Sequence, residues 1–387
     1  MIRRKAEGIV HKLAKGFPVV AITGPRQSGK TTLVRACFPD KPYITMENPE
    51  ILGLALDDPK GFLANYRPKG AVLEEVQRTP HLFSYLQGLV DDDKEMGAFI
   101  LTGSQQFGLI ESITQSLAGR VGLVELLPFS YEEIRGTRAE LSRAEEWIYR
   151  GGYPPLYDRD LDPQDWFASY VMTYLERDIR AIKNIHDIHV FQLFVRMCAA
   201  RTGQILNLSS LANDCGITHN TARSWMSVLE ASYIVFLLKP YFVNLGKRLI
   251  KSPKLYFYDT GLACWLMGIK SSDQIRTHSS RGALFENMVI TDAIKGYANL
   301  GRRSPFYYYR DSAGTEVDLI IEDGNNIQAI EIKAGATLST DYFKSLKKWG
   351  QLSTRNSVKT LIYSGEHELT TNGVQVRSWA NSQLLHR

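Results

Sequence analysis

From Phe17 to about Arg135, short apolar runs alternate with amphipathic stretches of helical spacing. FPVVAIT, PYITME, AVLEEV, GAFILTG and GLVELLPF read as strands between them. That rhythm predicts α/β layering around a mainly parallel sheet. The stretch GGYPPLYDRD, punctuated by Gly and Pro, marks a break, and helical patterns then run from Pro163 to about Arg201. They lead into LNLSSLANDCGITHNTARSWMSVLEASYIVFLLKPYF, which reads as two short helices split by a Gly-containing turn and followed by a strand. Beyond about Lys270 the pattern is mixed α/β again, with strands FYYYRD, EVDLIIE, IQAIEIK and VKTLIYS. No internal repeat or low-complexity tract interrupts this order.

A chain of 387 residues is too long for one ordinary core. The punctuation predicts three domains, over 1–150, 151–269 and 270–387. Apolar residues at 44% and charged residues at 22% give the balance of a soluble globular protein. No apolar run reaches the roughly 18–20 residues that span a bilayer, so no membrane partner is expected. MIRRKAEGIVHKLAKG is basic but broken by His, Lys and Glu before a signal-peptide core can form, which makes the cytoplasm the expected compartment. Cys37, Cys198, Cys215 and Cys264 are scattered, without spacing for zinc or a disulfide framework. The net charge of +5 permits a nucleic-acid partner without demanding one.

The sharpest motif is GPRQSGKTTL, Gly24 to Leu33, which fits GxxxxGK[ST] and lies where the mechanism requires, after the strand VVAIT and at the start of a helix. Glycines let backbone N–H groups wrap phosphates, and a helix N-terminus favours their negative charge. Lys30 would reach the β and γ phosphates and Thr31 would offer its hydroxyl to Mg²⁺. Gly24, Pro25, Gln27, Ser28, Gly29, Lys30, Thr31 and Thr32 are the expected ATP contacts. AVLEEVQ supplies Glu74 for the metal and Glu75 to aim an attacking water, provided the strand ends there; the other reading is two solvated surface acids. FILTGSQQF ends in Thr102, Ser104 and Gln105, polar groups able to sense a γ-phosphate.

With GPRQSGKTTL, LEEVQ, LTGSQQF and SLAGRV in this order, most of the N-terminal region resembles the AAA-type ATPases of prokaryotes. The resemblance implies that Arg120 in LAGRV approaches a γ-phosphate, held by a neighbouring copy in a homo-oligomer, as an arginine finger. The competing reading pairs Arg120 with a carboxylate. Glu74 departs from the family, which usually has Asp before the Glu, and its extra length would shift the metal and slow hydrolysis.

Between Leu208 and Ser232 the apolar positions Leu208, Leu211, Ala212, Ile217, Ala222, Trp225, Val228 and Leu229 bracket Gly216, the habit of a helix-turn-helix. The second helix would expose His219, Asn220, Arg223 and Ser224 toward DNA phosphates or base edges. Lys239, Lys247, Arg248, Lys251 and Lys254 gather around the following strands, which makes the segment look like a winged helix with a basic wing. Such domains also serve as lids or protein contacts.

The last feature is GTEVDLIIEDGNNIQAIEIKAG, Gly314 to Gly335. Strand alternation puts Glu316, Asp318 and Ile320 on one face and Val317, Leu319 and Ile321 on the other. A two-residue turn at Gly324-Asn325 sets Asp318 across from Glu331 and Glu316 across from Lys333. Opposed carboxylates call for a cation, or for one carboxyl to stay protonated. Mg²⁺ or Mn²⁺ between them could activate water against a phosphodiester, with Lys333 steadying the developing charge. The arrangement resembles the PD-(D/E)xK nuclease superfamily, onto whose motif Asp318, Glu331 and Lys333 map. Glu286 in GALFENMVI matches the acid such proteins often place on a preceding helix, and the region also resembles the domain of unknown function found behind this kind of ATPase. Two other readings are a metal-free hairpin with a Glu316–Lys333 ion pair, and a nuclease-like fold kept as a binding platform. The expected fold class is α/β throughout: a P-loop ATPase domain, a helical and winged-helix middle, and a restriction-endonuclease-like end. The expected function is an ATP-binding and hydrolysing protein that handles DNA, the alternative an ATP-gated protein-interaction switch without nuclease activity.

Overall fold

A computed structural model of the chain describes residues 2–93, 95–103, 113, 115–175, 187–242, 252–353 and 357–386. It divides into two compact units: Met1–Phe129 with Ala231–Tyr233 and Tyr297–Arg303, and the remainder from Ser130 onward.

In the first unit the five apolar runs become β1 (Val19–Thr23), β2 (Tyr43–Thr45), β3 (Ala71–Glu74), β4 (Phe99–Thr102) and β5 (Val121–Glu125). They form a parallel sheet in the order β2-β3-β4-β1-β5. β1 is buried along its whole length because helices cover both faces. Val19 and Ala21 pack with Leu73, Phe83, Phe99 and Leu101, while Val20 and Ile22 pack with Val10, Leu33, Val34 and Ile100. The helices include α1 (Glu7–Ala14), α2 (Lys30–Cys37), α3 (Pro49–Asp57), α4 (Pro59–Ala64) and α5 (Leu82–Asp93). α3 and α4 start on Asn-Pro and Asp-Pro: Asn48 accepts the Glu50 N–H at 2.9 Å, Asp58 accepts the Gly61 N–H at 2.9 Å, and proline fills the first helical position. With all strands parallel, the tips of β1, β3 and β4 lie side by side, Glu74 level with Thr102. Loops gathered at that edge are where open α/β sheets bind ligands.

The second unit holds β6 (Val235–Pro240), β7 (Lys254–Phe257), β8 (Phe306–Arg310), β9 (Glu316–Asp323), β10 (Asn326–Lys333), β11 (Ser357–Tyr363), β12 (Leu369–Thr371) and β13 (Val374–Ser378). They make one eight-stranded sheet, β12-β13-β11-β10-β9-β8-β6-β7. The strand pair after the helix-turn-helix candidate is therefore part of the C-terminal sheet, since Lys239 and Pro240 of β6 pair with Tyr307 and Tyr308 of β8. The physical reason is edge pairing: β8 would otherwise present an open row of N–H and C=O groups. The compact units change over at Phe129/Ser130, and one of them holds Ser130–Glu230, Ile234–Gly296 and Ser304–Arg387. On one face Trp349 and Leu346 of the Lys344–Leu352 helix pack with Val317, Ile320, Ala329, Leu361 and Val376.

The β9–β10 hairpin turns on Gly324-Asn325, with Asp323 paired to Asn326 and Gly324 left-handed at φ 61°. The expected register holds through Ile330 opposite Leu319. Strict face alternation fails on the other side of β9: Tyr307 faces Ile320 but Tyr309 faces Val317, two residues against three. This bulge lets Val317 and Ile320 enter the same core, and it falls at Asp318 and Leu319.

Candidate functional site

The phosphate loop runs from the end of β1 into α2. Gly24 has φ 143° and a side chain there would meet the Leu126 carbonyl oxygen at 2.1 Å, so this position admits glycine alone. Gly29 is left-handed at φ 89° and immediately precedes α2, and Gln27 takes φ 62° between them. The loop thus curls back at a helix N-terminus, the end of a helix that favours an anion. Lys30 Nζ donates to the carbonyls of Gly24 at 3.0 Å and Pro25 at 2.8 Å. Burial pushes its ammonium down to about 8, against the pull of Glu75 and Glu74. Thr31 Oγ1 donates to Glu74 Oε1 at 2.6 Å. β3 ends at Glu74, and Glu75 turns left-handed at φ 52° and accepts from the Gln77 side chain. The strand finishes where the sequence reading required. Ser28 Oγ and Thr102 Oγ1 are buried without a hydrogen-bond partner, polar atoms that a bound nucleotide could satisfy. Gln27 and Thr32 are exposed. Ser104 and Gln105 lie outside the described residues.

Sequence reasoning missed Arg4. Its buried guanidinium donates to Ser28 O at 2.7 Å and Leu127 O at 2.7 Å and stacks over Phe129 at 4.9 Å, tying the loop to the segment beyond β5. The basic N-terminal run MIRRK was the only signal, and a charge run normally indicates a solvated face. Arg120 donates through Nε and Nη2 to Asp91 at 2.5 and 2.9 Å, a bidentate pair at the surface. The carboxylate-paired reading of Arg120 describes this structure.

In the second unit Glu286, Glu316, Asp318 and Glu331 lie in a cluster threaded by cations. Lys254 Nζ lies 2.8 Å from Glu286 and 2.5 Å from Glu316, Arg310 lies 3.1 Å from Glu316, and Lys333 lies 2.5 Å from Glu331 and 3.6 Å from Asp318. Asp318 also accepts the Ile332 N–H at 2.8 Å, and Tyr256 donates to Glu286. Two expectations change. Lys254 is no wing residue: only 3% of its side chain is exposed, and its ammonium sits among carboxylates and over the Tyr308 ring. Glu316 pairs with Lys254 and Arg310 instead of Lys333, because the bulge re-aims β9. The acids are brought together, but among the described residues no group of three or more His, Cys, Asp or Glu side chains is placed to hold a metal ion. Lysine ammoniums stand between them. Burial first, then the neighbouring Asp318 charge, pushes the Glu331 carboxyl up to about 8, and burial raises Glu286 to about 7 against the pull of Lys254. Lys254 and Lys333 are both held above their ordinary values, the acids outweighing burial.

The helix-turn-helix candidate forms as Leu208–Asp214 and His219–Ala231, with Gly216 left-handed at φ 67° between them. Trp225 anchors the second helix edge-on against Phe191 and Phe194 at 5.2 and 5.4 Å. His219, Asn220, Arg223 and Ser227 are exposed, whereas Ser224 is half-buried. Lys239 is exposed; Lys247, Arg248 and Lys251 lie outside the described residues. No helix among the described residues is long and apolar enough to cross a membrane. All four cysteines are buried and unbonded to one another.

A parallel sheet with a glycine-cradled loop at the tip of its central strand, a lysine and threonine opening the next helix and an acid at the tip of β3 defines an AAA-type P-loop ATPase domain. Residues 16–135 match the family described as AAA domain, followed by matches to a domain of unknown function (DUF8612) over 141–273 and another (DUF4143) over 281–381. The chain is 32% identical over 370 residues to "Uncharacterized protein Rv2008c" of Mycobacterium tuberculosis and equally to "Uncharacterized protein Mb2031c" of Mycobacterium bovis, covering 94% of this chain and 80% of each relative; it belongs to their family. Among solved structures, the Walker-type ATPase paby2304 of Pyrococcus abyssi is similar over 69% of this chain and 96% of its own, at 15% identity and TM-score 0.47, too distant to bear on function.

The raised Glu331 carboxyl has a measurable consequence. A carboxyl raised on folding contributes stability that is complete below its ordinary range and is lost as pH climbs through the folded value. Wild-type melting temperature should therefore fall between about pH 4.5 and about pH 8 more steeply than that of Glu331→Gln, levelling off above, with the two converging in acid. Parallel melting curves would show that Glu331 carries no such strain.

Proposed function

We propose that this protein is an ATP-dependent switch that engages DNA: the first unit binds ATP and hydrolyses it slowly, and the His219–Ala231 helix contacts the nucleic acid. One observation carries the reading, the convergence of Lys30, Thr31 and Glu74 around a loop that only glycine at position 24 allows. Lys30 is held by two neutral carbonyls, weaker partners than a phosphate, and exchanges them for the β and γ oxygens of ATP. Thr31 and Glu74, already in hydrogen-bond contact, are the residues that would hold Mg²⁺, which when bound neutralises phosphate charge. Glu75, left-handed just past the end of β3, orients the attacking water. Arg120 stays with Asp91 and enters no step of this scheme.

The exposed row His219, Asn220, Arg223 and Ser227 supplies phosphate and base-edge contacts for DNA, and Lys239 adds a positive charge on β6. The acidic cluster is a poor fit for catalytic Mg²⁺ or Mn²⁺, since the ammonium groups of Lys254, between Glu286 and Glu316, and of Lys333, between Glu331 and Asp318, stand where the ion would sit. We assign the C-terminal sheet as a binding platform and derive no cleavage step from it.

Lys30→Ala should weaken ATP binding by about a hundredfold or more in a fluorescent-nucleotide titration; unchanged affinity would mean the loop has been misread. Arg223→Ala should weaken DNA binding about tenfold in gel shifts, with wild-type affinity falling as salt rises. Affinity insensitive to both would leave the protein-interaction alternative standing. With Mg²⁺ or Mn²⁺ present, the wild type should nick supercoiled plasmid no faster than Asp318→Ala; nicking that disappears in Asp318→Ala and Glu331→Ala would replace the platform with a nuclease.

A further inference from the structure

Among the described residues, four helices close in the same way. Past the ends of Leu208–Asp214, Thr260–Leu266, Arg281–Asn299 and His219–Ala231, a backbone N–H returns to a carbonyl of the last turn: Ile217 to Ala212, Ile269 to Cys264, Arg302 to Tyr297 and Ile234 to Leu229, each at 3.0 Å. This closure places the residue before the donor in left-handed backbone, where glycine is at home and a side chain is strained. Three of the positions are Gly216, Gly268 and Gly301, at φ 67°, 76° and 66°. The fourth is Tyr233, at φ 57° and 1% exposed.

A tyrosine at a glycine position needs a compensating contact, and the structure shows one. Tyr233 Oη donates to Thr23 Oγ1 at 3.0 Å across a separation of 210 residues. Thr23 is the last residue of β1, adjacent to Gly24 of the phosphate loop and opposite Glu125 of β5. Burial pushes the Glu125 carboxyl up, and the Tyr233 hydroxyl beside it pulls it back. Ala231–Tyr233 is counted with the first unit although the helix it ends belongs to the second, so these contacts lie within one compact body. Lys30 holds the carbonyls of Gly24 and Pro25, hence the backbone just past Thr23 changes partners when phosphate draws Lys30 away.

We propose that Tyr233 is a positioning residue of the nucleotide site, fixing the end of β1 through Thr23, and that this bond carries the occupancy of the phosphate loop to the His219–Ala231 helix. The proposal rests on the reading that the loop binds ATP and names the route by which that binding reaches the DNA-facing helix. Among the described residues no other buried tyrosine has left-handed backbone; Tyr153 and Tyr170, for instance, bond to each other at 3.1 Å.

Amide hydrogen exchange on the full chain, with and without ATP and Mg²⁺, tests it. In the wild type, ATP should slow exchange in peptides covering 24–33 and change exchange by about fivefold or more in those covering 219–234. In Tyr233→Phe, which keeps the ring and loses the hydroxyl, protection of 24–33 should persist while the response at 219–234 disappears. Thr23→Val, which removes the acceptor with little change of shape, should reproduce that result and stands in should Tyr233→Phe fold poorly. No protection at 24–33 in the wild type would overturn the ATP reading and this proposal with it. Protection there with an unresponsive 219–234 segment, or with a response retained in both variants, would overturn the proposal alone.

Discussion

An ammonium group taken out of water must be surrounded by oxygen, and both compact units are organised by that requirement. In the first unit Lys30 is buried against the carbonyls of Gly24 and Pro25. In the second, Lys254 is buried against Glu286 and Glu316, and the half-buried Lys333 pairs with Glu331. A carboxylate or phosphate adds charge–charge attraction that a neutral carbonyl does not supply. Lys30 can therefore be given up to a phosphate, while Lys254 is held. The same side chain is a mobile ligand in one place and a fixed strut in the other, according to the oxygen that receives it.

Regular geometry fails at several points, and some of them lie at the sites. Gln27 and Glu75 are left-handed in the loop and at the end of β3, where a phosphate and its acid must be reached from the backbone. A bulge opposite Tyr308 breaks the alternation of β9 at Asp318, directing Glu316 to Lys254 and Arg310. Tyr233 occupies a helix end built for glycine. Each irregularity carries a side chain to a partner that an ideal strand or helix would not reach.

The acidic hairpin shows how a correct local reading can meet a different chemistry. The turn at Gly324 and the pairing of Asp323 with Asn326 follow from turn stereochemistry and strand period. The need for a positive charge among the carboxylates follows as well. Its identity did not, because Lys254 sits on β7, more than sixty positions before Glu316, in a segment whose lysines suggest a basic wing.

What the sequence determined by itself was everything with a local cause: five apolar runs that became five parallel strands, the glycine spacing of the phosphate loop, two helices about Gly216, and the hairpin register as far as Ile330. Helical and strand periods, and the conformations open to glycine, act over a few residues and leave their mark in order along the chain. The tertiary structure alone decided the partners of the charges and the joining of β6 to β8. Arg4 finds Ser28 and Leu127, Arg120 finds Asp91, and Lys254 finds Glu286 and Glu316. Electrostatic energy depends on distance through space, and folding brings together charges that no local pattern relates.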